Sequence, residues 1–350
     1  MSREYFKTHF PHESETFNQV NIDDFFNFMF ERHCIWQRRF IEKLPREQWT
    51  NDPVLKVTKY TNIYRELDRG TLYFLQFVFD RADDLKRMLW KNIIYRLCNR
   101  IETFEEVGFP SIEDYDNTNI NNKWWEKLEV IRLRGEPCMT SAHLTCPTPP
   151  GYTKVEGFVL ACNDLHKKLD KLVEDVKACQ NSREVFLCLK NIHCVGDFIA
   201  YEVLCDLMYN KVIGRWETVG VDNFFRAFMD DDWANVGPGA KVGIRLLYPS
   251  TKGGKNIYGR MVELRDQQHV HWERLKIAFP WYEKFSVGHL SLRSVEHSLC
   301  EFQKFWLQKN KLGKQRMIFN ENKNKVVNGK RLIVDPNCGD RLIYQEEKVS

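Results

Sequence analysis

Apolar residues recur along most of this chain at close to the helical period, and the pattern reads as a succession of helices. In IDDFFNFMFERHCIWQRRFIEK, residues 22–43, the spacing of Phe25, Phe28, Met29 and Trp36 predicts a core helix. Trp49-Thr50-Asn51-Asp52-Pro53 ends it, because Pro53 fixes its own φ and restricts Asp52. In VLKVTKYTNIYRELDRGTLYFLQF, Tyr60, Ile63, Tyr64, Leu67 and Thr71 share one helical face, with Asn62, Arg65, Glu66 and Arg69 opposite. Residues 82–104 read as an amphipathic helix with Leu85, Met88, Leu89, Ile93 and Leu97 inward.

The central stretch, residues 181–245, predicts two helices around a glycine hairpin. Asn181 or Ser182 caps the first, whose buried face is Val185, Phe186 and Leu189. Ile192-His193-Cys194-Val195-Gly196-Asp197 forms the turn, with Gly196 where the chain reverses and where a glycine tolerates positive φ. From about Phe198 the stripe Ile199, Ala200, Val203, Leu204 and Leu207 predicts the second helix. Near the end, Val295, Leu299, Phe302 and Trp306 make a further stripe, and His297, Glu301 and Lys304 line the other face.

The class that follows is all-α, with two helical subdomains that can intertwine. The run LTCPTPPGY is the clearest break, which divides the chain into 1–152, a subdomain over 153–310 that carries the hairpin, and a basic extension over 311–350. With 43% hydrophobic and 29% charged residues, 350 residues suffice for a large core. Eleven scattered cysteines without a Cys-x-x-Cys pair argue against both a disulfide framework and a zinc site, and no cofactor is evident. No signal peptide and no apolar run near eighteen residues is present, so the expected location is intracellular, and nuclear in a eukaryote, with no membrane partner.

A net charge of +4 is too small to imply nucleic acid, but its distribution is uneven. Lys304 to Arg331 holds nine Lys or Arg against Glu321 alone, the pattern of a phosphate tracker and equally of a solvated tail. The hairpin and the N–H groups that open its second helix suit a DNA backbone, which makes His193, Val195 and Gly196 candidates; an ordinary αα-hairpin has the same spacing. Gly237-Pro238-Gly239, followed by Lys241 and Arg245, reads as an anion-binding nest or as a plain turn between helices. The polar faces at 62–69 and 297–304 suit proton handling and phosphate binding, and solvated ion-pair ladders look identical.

Ile192-His193-Cys194-Val195-Gly196, with Val221-Asp222 downstream, resembles the helix-hairpin-helix of DNA glycosylases, where a Val-Asp pair carries the catalytic aspartate. Cys194 replaces the hairpin's first glycine. Phe198 stands where lyase-type members have their Schiff-base lysine, so lyase chemistry is not expected. The closely spaced cysteine quartet that holds an iron–sulfur cluster in some glycosylases is absent.

Three stretches taken together are more specific: TNIYRELDRGT (61–71), CVGDFIAYEVLCDL (194–207) with VGPGAKVGI (236–244), and VEHSLCEFQKF (295–305). From about Phe25 to about Phe319 the chain resembles the alpha-glutamyl/putrescinyl-thymine pyrophosphorylase group, also described as the helical domain beside 5-hydroxymethyluracil DNA kinases. The resemblance implies a glycosylase-like transferase on DNA. A flipped, pyrophosphate-activated 5-hydroxymethyluracil would exchange pyrophosphate for an amine or amino acid. Arg65 and Arg69 would then clamp phosphate with Lys304, and Asn62 would read the base. Asp222, Asp232 or Glu301 would serve as general base, with Asp68 and His297 as further candidate catalytic groups. A monofunctional glycosylase using Asp222, and a non-catalytic DNA-binding module that recruits a kinase, are the alternatives. The P-loop pattern is missing, so kinase activity would need another chain. Gln303-Lys304-Phe305 also departs from the Asp-Lys-Tyr expected in the family.

Overall fold

Apolar residues on one stripe and caps at its ends account for most elements of the computed structural model, which describes residues 22–80, 83–119, 122–140, 150–209, 232–251, 254, 256–282, 284, 288–312, 325–327 and 329–346. In chain order the elements begin with α1 (Ile22–Phe40), α2 (Pro53–Val57), a 3-10 turn at Arg65–Leu67, and α3 (Arg69–Tyr73), which runs into a π-helical turn at Phe74–Val78. There follow α4 (Leu85–Cys98), α5 (Ile101–Val107), α6 (Lys123–Leu133), α7 (Lys154–Ala178), α8 (Ser182–Leu189) and α9 (Asp197–Met208). The last helices are α10 (Pro238–Leu247), α11 (Ile257–Asp266), α12 (Gln268–Arg274) and α13 (Leu292–Lys309), before strands β1 (Val326–Val327), β2 (Lys330–Val334) and β3 (Leu342–Glu346). The expected helical class is borne out, with one addition. The strands form a small antiparallel sheet in the order β1-β2-β3, pairing Leu332 with Tyr344 and Val327 with Lys330.

The chain separates into two compact units, and neither is a continuous piece of sequence. The first comprises Met1–Asp68, Ala234–Lys323 and Asp335–Gly339; the second comprises Arg69–Trp233, Asn324–Val334 and Asp340–Ser350.

In the first unit α13 is the central helix. Its Phe302 meets Phe25 and Phe28 of α1 edge-on or tilted at 5.4 and 5.8 Å, and Phe305 meets Phe28 at 4.9 Å. Such aromatic pairs add to the area they bury. On another side α10 lies so close that an added Cβ at Gly243 would stand 2.5 Å from the Leu299 carbonyl oxygen, and one at Gly239 would strike Cys300 Sγ. Here the glycines are needed because two helix backbones approach closely. As a result α13 is buried nearly all round. His297 and Glu301, expected on a polar face, are each only 8% exposed.

The second unit is built around α4, α7, α8 and α9, and α3, α5, α6 and the small sheet also belong to it. Thr153 and Glu156 form a reciprocal capping box that starts α7. Asn181 caps α8 by accepting the Glu184 N–H at 3.0 Å. The turn that follows differs from expectation in one respect. Gly196 has φ −80 and caps α9, while the left-handed residue is Cys194 at φ 65. The position that resembles the family's first glycine thus adopts the glycine-like conformation with a cysteine in it, and a non-glycine residue is strained there.

Two expected helices are also broken. Residues 82–104 divide at Asn99, which is left-handed at φ 49 and ends α4. The stretch over 61–71 is a loop, a short 3-10 turn and the start of α3, because the Asp68 carboxylate takes the Asn62 N–H at 2.9 Å. A local side-chain acceptor of this kind competes with helical hydrogen bonding.

Candidate functional site

The strings 61–68 and 295–305 converge in the first unit on a cluster of charged side chains. Asp68 organises the loop: Oδ1 accepts both the main-chain N–H of Asn62 at 2.9 Å and its Nδ2 at 3.0 Å, and Oδ2 pairs with Arg65 Nε at 2.8 Å. The Asn62 amide is oriented from both ends, since Nδ2 also donates to the Leu67 carbonyl and Oδ1 accepts from Arg32 Nη2 at 2.8 Å. The same Arg32 nitrogen donates to the Tyr60 carbonyl at 3.0 Å.

From α13, Glu301 completes the cluster. Its Oε2 accepts the Thr61 N–H at 3.2 Å, and its Oε1 is held by Lys304. Three cations, Arg32, Arg65 and Lys304, thus surround two carboxylates. Arg65, Asp68 and Lys304 are not sealed, their side chains being 17%, 18% and 21% exposed.

Electrostatics follow from this arrangement. Burial pushes the Arg32 guanidinium down to about 10, against the pull of Asp68 and Glu301, so it stays charged at neutral pH. Burial alone would raise the Glu301 carboxyl. Lys304, the Thr61 N–H and the charge of Arg65 together outweigh it and hold the group below the usual glutamate range. Glu301 is therefore an ionised acceptor and a weak proton acceptor.

The remaining candidates lie elsewhere. His297, one turn before Glu301, has Nε2 at 3.8 Å from Glu296 Oε2, and Glu296 Oε1 accepts the Gly237 N–H at 3.0 Å. The first N–H of the expected anion nest is thus met by a carboxylate of the chain itself. Gly239 serves the approach of α10 to α13, with Lys241 exposed and Arg245 half-buried on α10.

In the second unit, Arg69 donates to Glu102 Oε1 and the Leu332 carbonyl, each at 3.2 Å. Asp232 receives the N–H of Ser182 at 2.8 Å and its hydroxyl, and so caps α8. His193 and Gly196 are exposed at the hairpin, Val195 is buried, and the His193 N–H donates to Asp164 at 2.8 Å. Asp222, and Lys314 of the basic strip, lie outside the described residues.

Arg32 is the member of the cluster that sequence reasoning missed. Its signal was a charge placed midway between Phe28 and Trp36 at successive four-residue steps, on the stripe that is otherwise apolar.

Residues 19–313 match the model of the 5-hmdU DNA kinase helical domain. The chain belongs to this family. The resemblance drawn from residues 61–71, 194–207, 236–244 and 295–305 is thereby borne out, and every residue of the charged cluster falls inside the matched domain. A 5-hmdU DNA kinase from Bacillus phage SP10 is 31% identical over 304 residues, which cover 82% of this chain and 45% of that protein. The chain therefore spans less than half the length of this relative. No solved structure matches. Among the described residues no helix is long and apolar enough to cross a membrane.

Proposed function

We propose that this chain modifies a base in DNA, acting on a 5-substituted uracil that carries a hydroxymethyl-derived pyrophosphate and replacing the pyrophosphate with an amine or amino acid. Membership of a hydroxymethyluracil-linked DNA kinase family supports the choice of base, and the excess of cations over carboxylates at a partly open cluster is the observation that carries the reaction. In this reading the base leaves the duplex, Asn62 meets its edge, and Arg65 and Lys304 hold the pyrophosphate. The amine nitrogen bonds to the exocyclic carbon as the carbon–oxygen bond to pyrophosphate breaks, and the negative charge that develops on the leaving oxygens faces Arg32, Arg65 and Lys304.

Glu301, held ionised, anchors Lys304 and the Thr61 main chain beneath that group. Asp68, the other carboxylate of the cluster, is the general base of this reading, taking the amine's proton once a bound substrate draws Arg65 toward the pyrophosphate. The exposed hairpin residues His193 and Gly196 are the proposed contact with the DNA backbone. These residues carry no P-loop pattern, so in this reading a kinase activity outside them supplies the phosphate of the activated base.

The test is mass spectrometry of nucleosides from DNA containing pyrophosphorylated hydroxymethyluracil, incubated with the protein and an amine, with pyrophosphate release followed in parallel. A nucleoside of the mass of the amine adduct, with pyrophosphate released in equal amount, is expected. Abasic sites would replace this reading with a glycosylase. Retention on DNA with neither product would replace it with a binding module.

A further inference from the structure

Two cysteines of the second unit meet at a place the proposed chemistry does not use. Cys179 is the residue that ends α7, and Cys188 lies in the last turn of α8. Their Sγ atoms are 3.6 Å apart. The segment between them is fixed by its own hydrogen bonds. Between the two cysteines, Asn181 caps α8, the Gln180 N–H donates to Glu184 Oε2 at 2.6 Å, and Asp232 holds Ser182. The Cys179 thiol is itself oriented by donating to the Asp175 carbonyl at 3.2 Å. Cys179 is buried and Cys188 is half-exposed, so Cys188 is the more accessible of two residues whose sulfurs are in contact.

We propose that Cys179 and Cys188 are a modification site that closes to a reversible intrachain disulfide on exposure to a small-molecule disulfide such as oxidised glutathione. Cys188, the accessible thiol, loses its proton to water and bonds to one sulfur of the reagent; the reagent's sulfur–sulfur bond breaks and one small thiolate leaves. Cys179 then gives up its proton, attacks the Cys188 sulfur and expels the second small thiolate. Two cysteines are oxidised, one small disulfide is reduced to two thiols, and no other oxidant enters. Burial pushes the Cys179 thiol up to about 12, which fits a resolving partner that does not react first. Closure brings the sulfurs from 3.6 Å to a bond of about 2.0 Å, a shift that side-chain rotation and a small backbone adjustment can supply. The link would tie the end of α7 to α8 and fix the entry to the hairpin.

Arg183 lies between the two cysteines, with Lys177 and Lys190 outside them, so trypsin releases residues 178–183 and 184–190 as separate peptides unless a disulfide joins them. The whole chain is incubated with oxidised glutathione, its remaining thiols are alkylated, and it is digested without reductant. A joined 178–183/184–190 pair that dithiothreitol separates is expected. In Cys179→Ser, residues 184–190 should carry one glutathione; in Cys188→Ser, residues 178–183 should appear alkylated only. Two alkylated peptides from the wild-type chain, or a stable glutathione on Cys188 with Cys179 left free, would overturn the proposal. The wild-type digest decides even if a variant does not fold.

Discussion

Two clusters of buried or half-buried charge, one in each unit of the molecule, are built on opposite balances. In the second unit Arg96 of α4 is gripped by two carboxylates of α9: Asp206 accepts from Nε at 2.5 Å and also from Nη2, and Glu202 pairs with Nη1 at 3.1 Å. The three side chains are 5%, 0% and 8% exposed. Burial would lower the Arg96 pKa, but Asp206 and Glu202 reverse this and raise it well above the ordinary value.

In the first unit the balance is inverted, with three cations around Asp68 and Glu301 and several groups open to solvent. A closed site with surplus negative charge has no room or reason to take an anion. A half-open one with surplus positive charge has both. Charge clusters that look alike in a list of ion pairs thus separate into a bolt between helices and a candidate receptor.

This contrast can be broken most sharply at Arg96. Arg96→Met leaves two buried carboxylates without their cation and should destabilise the protein by about 3–5 kcal/mol in denaturant unfolding. Asp68→Ala removes an acceptor used by Asn62 and Arg65 in a partly hydrated loop, and a smaller loss of about 1–3 kcal/mol is expected. If the ranking is reversed, the first unit's cluster is the structural one. Arg65→Gln tests the receptor side: stability should change little, while affinity for inorganic pyrophosphate in calorimetry should fall by about tenfold, as expected for one charge-assisted contact. Absence of pyrophosphate binding by the unaltered protein would remove the anion site altogether.

The smallest effect concerns pH. Because the folded-state pKa of Glu301 is lowered, its stabilisation is full above the unfolded value of about 4.3 and is lost as pH falls through the folded value. The stability advantage of the wild type over Glu301→Gln should therefore be constant from neutral pH to about pH 5 and shrink in more acid solution. An advantage that grows on acidification would contradict the arrangement around Lys304.

The helices were the most legible part of the sequence, because burial on one stripe leaves a period that survives without any knowledge of partners. Phe25, Phe28 and Met29, or Val295, Leu299 and Phe302, are examples. The same rule misread 61–71. There Tyr60, Ile63, Tyr64 and Leu67 are all buried, but by a loop whose shape is set by Asp68, and periodicity does not distinguish the two. The sheet was hidden because VVNGKRLIV was read for its charge. Its apolar residues sit on either side of Asn328, Lys330 and Arg331, and of the residues in the three strands only Leu332 on β2 and Leu342 on β3 are buried.

Of the candidate site, Asn62, Arg65, Asp68, Glu301 and Lys304 were chosen from two strings far apart in the chain, and the structure brings them together. Arg69 was chosen by the same helical reasoning and departs from them, because the chain passes into the second unit at that residue. Arg32 was overlooked since a single charge on an apolar stripe carries no motif.

The turn Asp335–Gly339 counts with the first unit although the strands on either side of it count with the second. Trp36 donates to the Gly339 carbonyl at 3.4 Å, Lys43 to the carbonyls of Pro336 and Asn337 at 2.7 and 2.6 Å, and Gly339, at φ 72, rests against Phe40. During synthesis the ribosome releases α1 some three hundred residues before this turn. The usual vectorial order, in which an N-terminal domain finishes folding while the rest is still being made, is closed to such a chain. Its first unit cannot close until α13 and then this turn have been made, and through that interval Trp36 and Phe40 lack the partners that cover them, the condition under which a nascent-chain chaperone would bind.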